Sequence, residues 1–228
     1  MEVSNIHEVV KMLQVGAKKF ICENYLELNG LKIEPKEVEV YYYKDGVFED
    51  NSVHRNELQS ANPNKFYIHR KGQKSTDSYK GGHYGGMDFV ISDELDVYHT
   101  YLIRSAVVEG HLIVGPNRLM RHIIELTHWD KKEIEDATVD LKQCENTCDV
   151  LTSSRINLGK TVGQEYLLSP LRLVLCDDYY LKSTYPMKES MLVDFLLQKY
   201  ENRELIQEEI LAYSKERLGY ISSRLKQL

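Results

Sequence analysis

A chain of 228 residues with 42% apolar and 28% charged side chains can bury one substantial core, which excludes a disordered or low-complexity protein. Its net charge of −6 excludes a uniformly basic nucleic-acid binder, because affinity for phosphate backbones comes mainly from lysine and arginine. The first residues, MEVSNIHEVVKMLQVGAKKF, are interrupted by charges throughout, so neither a secretory signal nor a membrane span is expected there, and a cytoplasmic location is expected.

Residues 6–20 place Ile6, Val9, Val10, Leu13 and Val15 near helical spacing and predict a short helix. The pattern then changes to β-branched and aromatic runs at 20–28, 38–43, 65–69, 87–91 and 98–108, bounded by Asn-Gly, Asp-Gly or Gly-Gly. A curved, mostly antiparallel sheet is the natural outcome. After Gly115-Pro116 a helix is predicted over 117–126, with Asn117 as its cap and Leu119, Met120, Ile123 and Ile124 facing inward. Strands are predicted again at 154–158 and 171–177. From 188 to 228 the apolar spacing predicts helix with little interruption, and seven basic and seven acidic residues cancel. The expected fold is α+β: a domain over 1–183 with the sheet surrounded by helices, then a helical extension over 184–228 suited to packing or to binding a partner protein.

Charge is unevenly spread. Residues 64–83 carry Lys65, Arg70, Lys71, Lys74 and Lys80 against Asp77 alone, whereas 125–149 hold eight acids against three lysines. A local basic face on an acidic protein is one reading, and a solvated lysine-rich loop is the other. Cys22, Cys144, Cys148 and Cys176 are too scattered for a disulfide framework. Cys144 and Cys148 sit one helical turn apart without a nearby histidine pair, which favours free thiols over zinc.

Glu39-Val40-Tyr41, then His54, then Arg104 in an apolar run carry the chemistry. On an alternating strand Val38, Val40 and Tyr42 face one way, and Glu39, Tyr41 and Tyr43 the other. A carboxylate flanked by tyrosines can be partly desolvated, which raises its proton affinity and suits it to general-base work. An exposed glutamate on a solvated face is the plainer alternative. Arg104, between Ile103 and Ser105 in an apolar strand, needs a carboxylate partner if buried, and Glu39 is an economical one.

The order of these motifs resembles the alkyladenine (3-methyladenine) DNA glycosylase family. Glu-x-Tyr is followed by a histidine, by Met87-Asp88-Phe89 after a glycine-rich stretch, by Leu102-Ile103-Arg104-Ser105-Ala106-Val107-Val108-Glu109-Gly110, and by Gly115-Pro116-Asn117-Arg118-Leu119. Ser154-Arg155-Ile156-Asn157-Leu158-Gly159 and Pro170-Leu171-Arg172 then resemble the family's last two strand motifs, so that the likeness runs from about Gly16 to Lys182. The resemblance implies a metal-free, cofactor-free enzyme that flips a damaged purine out of double-stranded DNA and hydrolyses its N-glycosidic bond. It implies that Glu39 activates water, that Arg104 and the Leu158 carbonyl hold that water, that Tyr41 stacks on the base, and that His54 and Asp88 meet its edge. Arg70, Lys71, Lys74, Tyr79, Lys80, His83 and Tyr84 would face DNA, with Tyr79, His83 or Tyr84 filling the gap left by the flipped base.

The sequence also departs from the family pattern. Asn56-Glu57-Leu58-Gln59 stands where a Thr-Pro-Arg-like segment is usual, and Asp88 replaces a typical asparagine, removing two donors. Two functions follow: a glycosylase for alkylated or deaminated purines, or a catalytically altered relative that binds a nucleotide or partner.

Overall fold

The computed structural model describes residues 6–144, 150–155, 158, 162–175, 189–201 and 203–228. Helix α1 (Ile6–Glu23) leads into β1 (Asn24–Leu28), β2 (Leu31–Lys44), β3 (Phe48–Glu49), β4 (Phe66–Ile68), β5 (Met87–Val90), β6 (Val97–Val108) and β7 (His111–Val114). Then follow α2 (Pro116–Thr127), α3 (Lys131–Asp136), β8 (Asp140–Gln143), β9 (Val150–Ser153), α4 (Gln164–Leu167), β10 (Arg172–Leu175), α5 (Glu189–Glu201) and α6 (Gln207–Leu218). The strands form one curved sheet in which every pairing is antiparallel, giving the expected α+β architecture.

The sheet is two-faced because its long strands alternate. Val38, Val40, Phe66, Ile68, Phe89, Tyr101, Ile103 and Leu173 point to one side, where they join Leu13, Phe20 and Ile21 of α1 and Leu119 and Ile123 of α2 in the main core. The Phe20 ring lies 5.5 Å from Phe89 and 4.7 Å from Tyr101. That contact explains why Phe20 to Glu23 are helical and not the start of a strand: they prolong the buried stripe of α1, while Val15 turns outward.

Other boundaries differ from expectation for local reasons. The second helix begins at Pro116, whose fixed φ and missing N–H suit a first helical position, so Gly115 (φ 102°) caps it and not Asn117. β7 and β8 were not expected; β7 returns along β6 through Glu109-Gly110, both at positive φ. The strand expected at 154–158 lies earlier, at β9, because Arg155 leaves the sheet to meet Asp50; residues 156 and 157 are outside the described set. Of 171–177, only β10 is described strand. Among its described residues the C-terminal segment holds two α-helices, separated near Arg203 (φ 59°), and a closing 3-10 turn at Leu225–Gln227, with their own apolar cluster of Leu192, Val193, Leu196, Ile210 and Leu225. The expected division at 183/184 and Cys148 and Cys176 fall outside the described residues. No described helix is long and apolar enough to cross a membrane.

Helix α3 opens with a reciprocal cap in which Asp130 accepts from the Glu133 N–H and Glu133 from the Asp130 N–H. Asp130→Ala should lower stability by about 1 kcal/mol, read as a shifted urea midpoint with unchanged slope. An unshifted midpoint would remove the cap from the account.

Candidate active site

The opposite face of the sheet carries polar groups that are nonetheless buried. Register places Ser153, Arg172, Glu39, Leu102, Asp88 and Tyr67 in one row across β9, β10, β2, β6, β5 and β4. Directly paired antiparallel residues share a side, so all six look away from the core. Each is at most 4% exposed. Buried charge persists only where it is paired and hydrogen-bonded, and the row resolves into two polar clusters.

The first is built on Glu37 and Glu39, two residues apart on β2. Arg104 donates from Nε to Glu37 (3.1 Å) and from an Nη to Glu39 (3.3 Å). Arg172 donates to the same Glu37 oxygen at 2.8 and 2.7 Å. Burial works against the Arg104 charge, but Glu39 and Glu37 outweigh it and hold the guanidinium more firmly protonated than usual. The Tyr41 hydroxyl donates to Glu39 at 3.1 Å, and burial followed by the Glu39 charge pushes this phenol well above its ordinary pKa. Glu39 is therefore fully buried, oriented by an arginine and a phenol, with its row-mate Leu102 beside it.

The second cluster surrounds Asp88. It bonds His69 Nε2 (2.8 Å), Gln59 (3.1 Å) and Thr100 (3.0 Å), the last being the register partner of Tyr41. Burial alone would raise the Asp88 pKa; His69, His54 and the Thr100 hydroxyl together bring it below the usual value. The His54 ring stands 4.8 Å from that of His69, with Nδ1 3.2 Å from the Tyr67 hydroxyl and Nε2 2.7 Å from Lys80 Nζ. Burial, then His69 and Lys80, lowers His54 to about 4, so the ring is neutral at pH 7. Gly86 is packed against this group: a Cβ there would sit 3.1 Å from the His69 ring.

The expected roles are redistributed by this geometry. Arg104 does meet Glu39, but shares itself with Glu37, and Tyr41 carries the Arg155 guanidinium 4.9 Å over one ring face. Both His54 nitrogens are engaged inside the protein, which conflicts with a direct base contact. Asp88 is enclosed by three partners. Leu158 is half-buried, five residues beyond Ser153 of the polar row, and its neighbours 156, 157 and 159 lie outside the described residues.

The basic face is thinner than its sequence suggests. Arg70 is buried, forms an ion pair with Glu135, donates to the Asp77 carbonyl at 2.7 Å and stacks 4.1 Å over Tyr79. Tyr79 in turn bonds Glu135 at 2.8 Å, so neither is presented to DNA. Lys71 and Lys74 are exposed, Lys80 is half-buried, and Tyr84 is 78% exposed on a short 3-10 turn. The His83 side chain lies outside the described residues.

Sequence reasoning missed Glu37, Arg172, His69, Gln59 and Thr100. Strand alternation could have found Glu37, two residues before Glu39; the partners of Asp88 are distant in sequence and needed the register. Among the described residues no group of three or more His, Cys, Asp or Glu could hold a metal ion. The chain matches no protein-family model and no curated protein at a significant level.

His99 is half-buried, its ring against those of Tyr42 and Tyr101 and its unbonded Nε2 enclosed, and burial lowers it from 6.5 to about 4. The unfolded chain then binds a proton that the folded chain refuses, so stability is full above pH 6.5 and falls as pH drops toward 4. The loss from His99 should approach 3 kcal/mol, about the free energy of such a shift. His99→Phe should make the fall of the urea midpoint between pH 7 and 5 shallower, leaving the part due to His54; an unchanged slope would contradict this.

Proposed function

We propose that this chain is a divergent relative of the alkyladenine DNA glycosylases and hydrolyses the N-glycosidic bond of alkylated or deaminated purines in DNA. One observation carries the reading: Glu39, buried on the polar face of the sheet, is held by Arg104 and Tyr41 in an array that can take a proton from water and stabilise the positive charge growing on the sugar. The reaction needs a carboxylate beside an oxocarbenium-like carbon, as in glycoside hydrolysis. Tyr41 offers its remaining face to the extruded base, and Lys71, Lys74 and Tyr84 supply the exposed contacts to the duplex.

The test is release of free purine from alkylated and from deaminated duplex DNA by the purified chain. Release supports the reading; none from either substrate would overturn it. The inward turn of Arg70 and Tyr79 favours a second reading, a nucleotide-binding module on the same face. Binding of a purine nucleotide without cleavage would select that reading, and steep salt dependence of duplex binding would favour DNA.

A further inference from the structure

The hydrogen bonds around His54 leave Lys80 in the place expected of that histidine. Tyr67 Oη accepts from the Arg70 backbone N–H at 3.1 Å and lies 3.2 Å from His54 Nδ1. With Lys80 as an ammonium, its N–H must donate to His54 Nε2, so the ring proton sits on Nδ1 and points to Tyr67. The imidazole has nothing left to offer a ligand. Lys80 has two more N–H groups, and among the described residues its side chain bonds His54. Asp88, part of the same cluster, is separated from Glu39 by Leu102 alone, two strand spacings or roughly 10 Å away on the same face. A nucleoside laid along that row puts its sugar at Glu39 and its base toward Lys80.

We propose that the Lys80 ammonium, seated on His54, is the proton donor to the departing base. This rests on the glycosidic reading above and names the group it lacks. A cationic alkylpurine leaves as a neutral base unaided, whereas an uncharged purine such as hypoxanthine leaves as an anion unless it is protonated. Water attacks C1′ as Glu39 takes its proton. The C1′–N9 bond breaks with its electron pair remaining on the base, and a ring nitrogen receives the proton from Lys80 Nζ. The neutral amine can then accept from His54 after the ring changes tautomer, with Tyr67 donating back to Nδ1. One proton passing through solvent from Glu39 to Lys80 restores both groups, and one water is consumed overall. Burial of Lys80 favours giving the proton up and lowers the ammonium pKa, while the Asp88 carboxylate of the same cluster acts in the opposite direction.

The experiment compares single-turnover release from duplexes carrying one hypoxanthine or one 7-methylguanine, for the unaltered protein, Lys80→Met and Lys80→Arg. Arginine keeps the charge and any phosphate contact but holds its proton too tightly to donate. Both variants should lose at least about 100-fold more activity on hypoxanthine than on 7-methylguanine, the range expected of a general acid. The residual 7-methylguanine release reports that the variants are folded. Equal losses on both bases, rescue of hypoxanthine release by arginine, or an unaltered protein that releases 7-methylguanine alone would overturn the donor while leaving the glycosidic reading intact. An unaltered protein that releases neither base would overturn both.

Discussion

Glu39→Gln is expected to lower purine release by about 1,000-fold or more, since in the proposed reaction it removes the base that activates water and keeps the side-chain volume. The fold should survive: Arg104 keeps its bond to Glu37, and the glutamine oxygen can still accept from Tyr41. Circular dichroism and urea midpoint should therefore stay close to those of the unaltered chain while single-turnover release collapses. Full activity in this variant would remove Glu39 as the base. Glu37→Gln provides the contrast, because Glu37 bridges two arginines, and its replacement should act on stability more than on the chemical step.

The largest structural effect is expected at the pair formed by Arg155 and Asp50. Both side chains are fully buried, 2.6 Å apart. Arg155 also donates to the Val40 carbonyl, Ser52 Oγ and the Tyr166 carbonyl at 3.1 to 3.2 Å, so one guanidinium joins β2, the loop after β3 and helix α4. Arg155→Met leaves the Asp50 carboxylate buried without its counter-charge and should cost about 3–5 kcal/mol. Replacing both partners, Arg155→Met with Asp50→Leu, should recover much of that loss, since no charge is then stranded. If the double variant is no more stable than the single one, the loss belongs to the three carbonyl and hydroxyl contacts and not to the ion pair.

Much of the architecture was legible because β2 and β6 alternate faithfully. Val38, Val40 and Tyr42 face the core and Glu39 and Tyr41 face away, as a period of two requires, even though Glu37 sits at a bulge. The carboxylate-arginine encounter was legible for the same reason: a guanidinium in an apolar strand needs a partner. What escaped was set by tertiary contacts. Phe20 resembles a strand residue until Phe89 and Tyr101 extend the helical stripe to meet it, and Arg70 resembles a surface charge until α3 brings Glu135 beneath it. Histidine roles were least legible, because a ring is defined by what each nitrogen touches, and the partners of His54 come from Tyr67 and Lys80 in two other segments.

The polar row also gives the C-terminal extension a position. Phe195 of α5 packs with Leu151 and Val174, which lie one step along β9 and β10 from Ser153 and Arg172 and on the same side. The extension thus covers the sheet beside Glu37, at the end of the row away from Lys80.

The most direct test is the product balance after reaction with alkylated duplex DNA. Glycosidic hydrolysis activated by Glu39 predicts free purine and abasic sites in equal amount, both formed at least about 1,000-fold more slowly with Glu39→Gln. Purine that stays attached to DNA in the unaltered protein would contradict it.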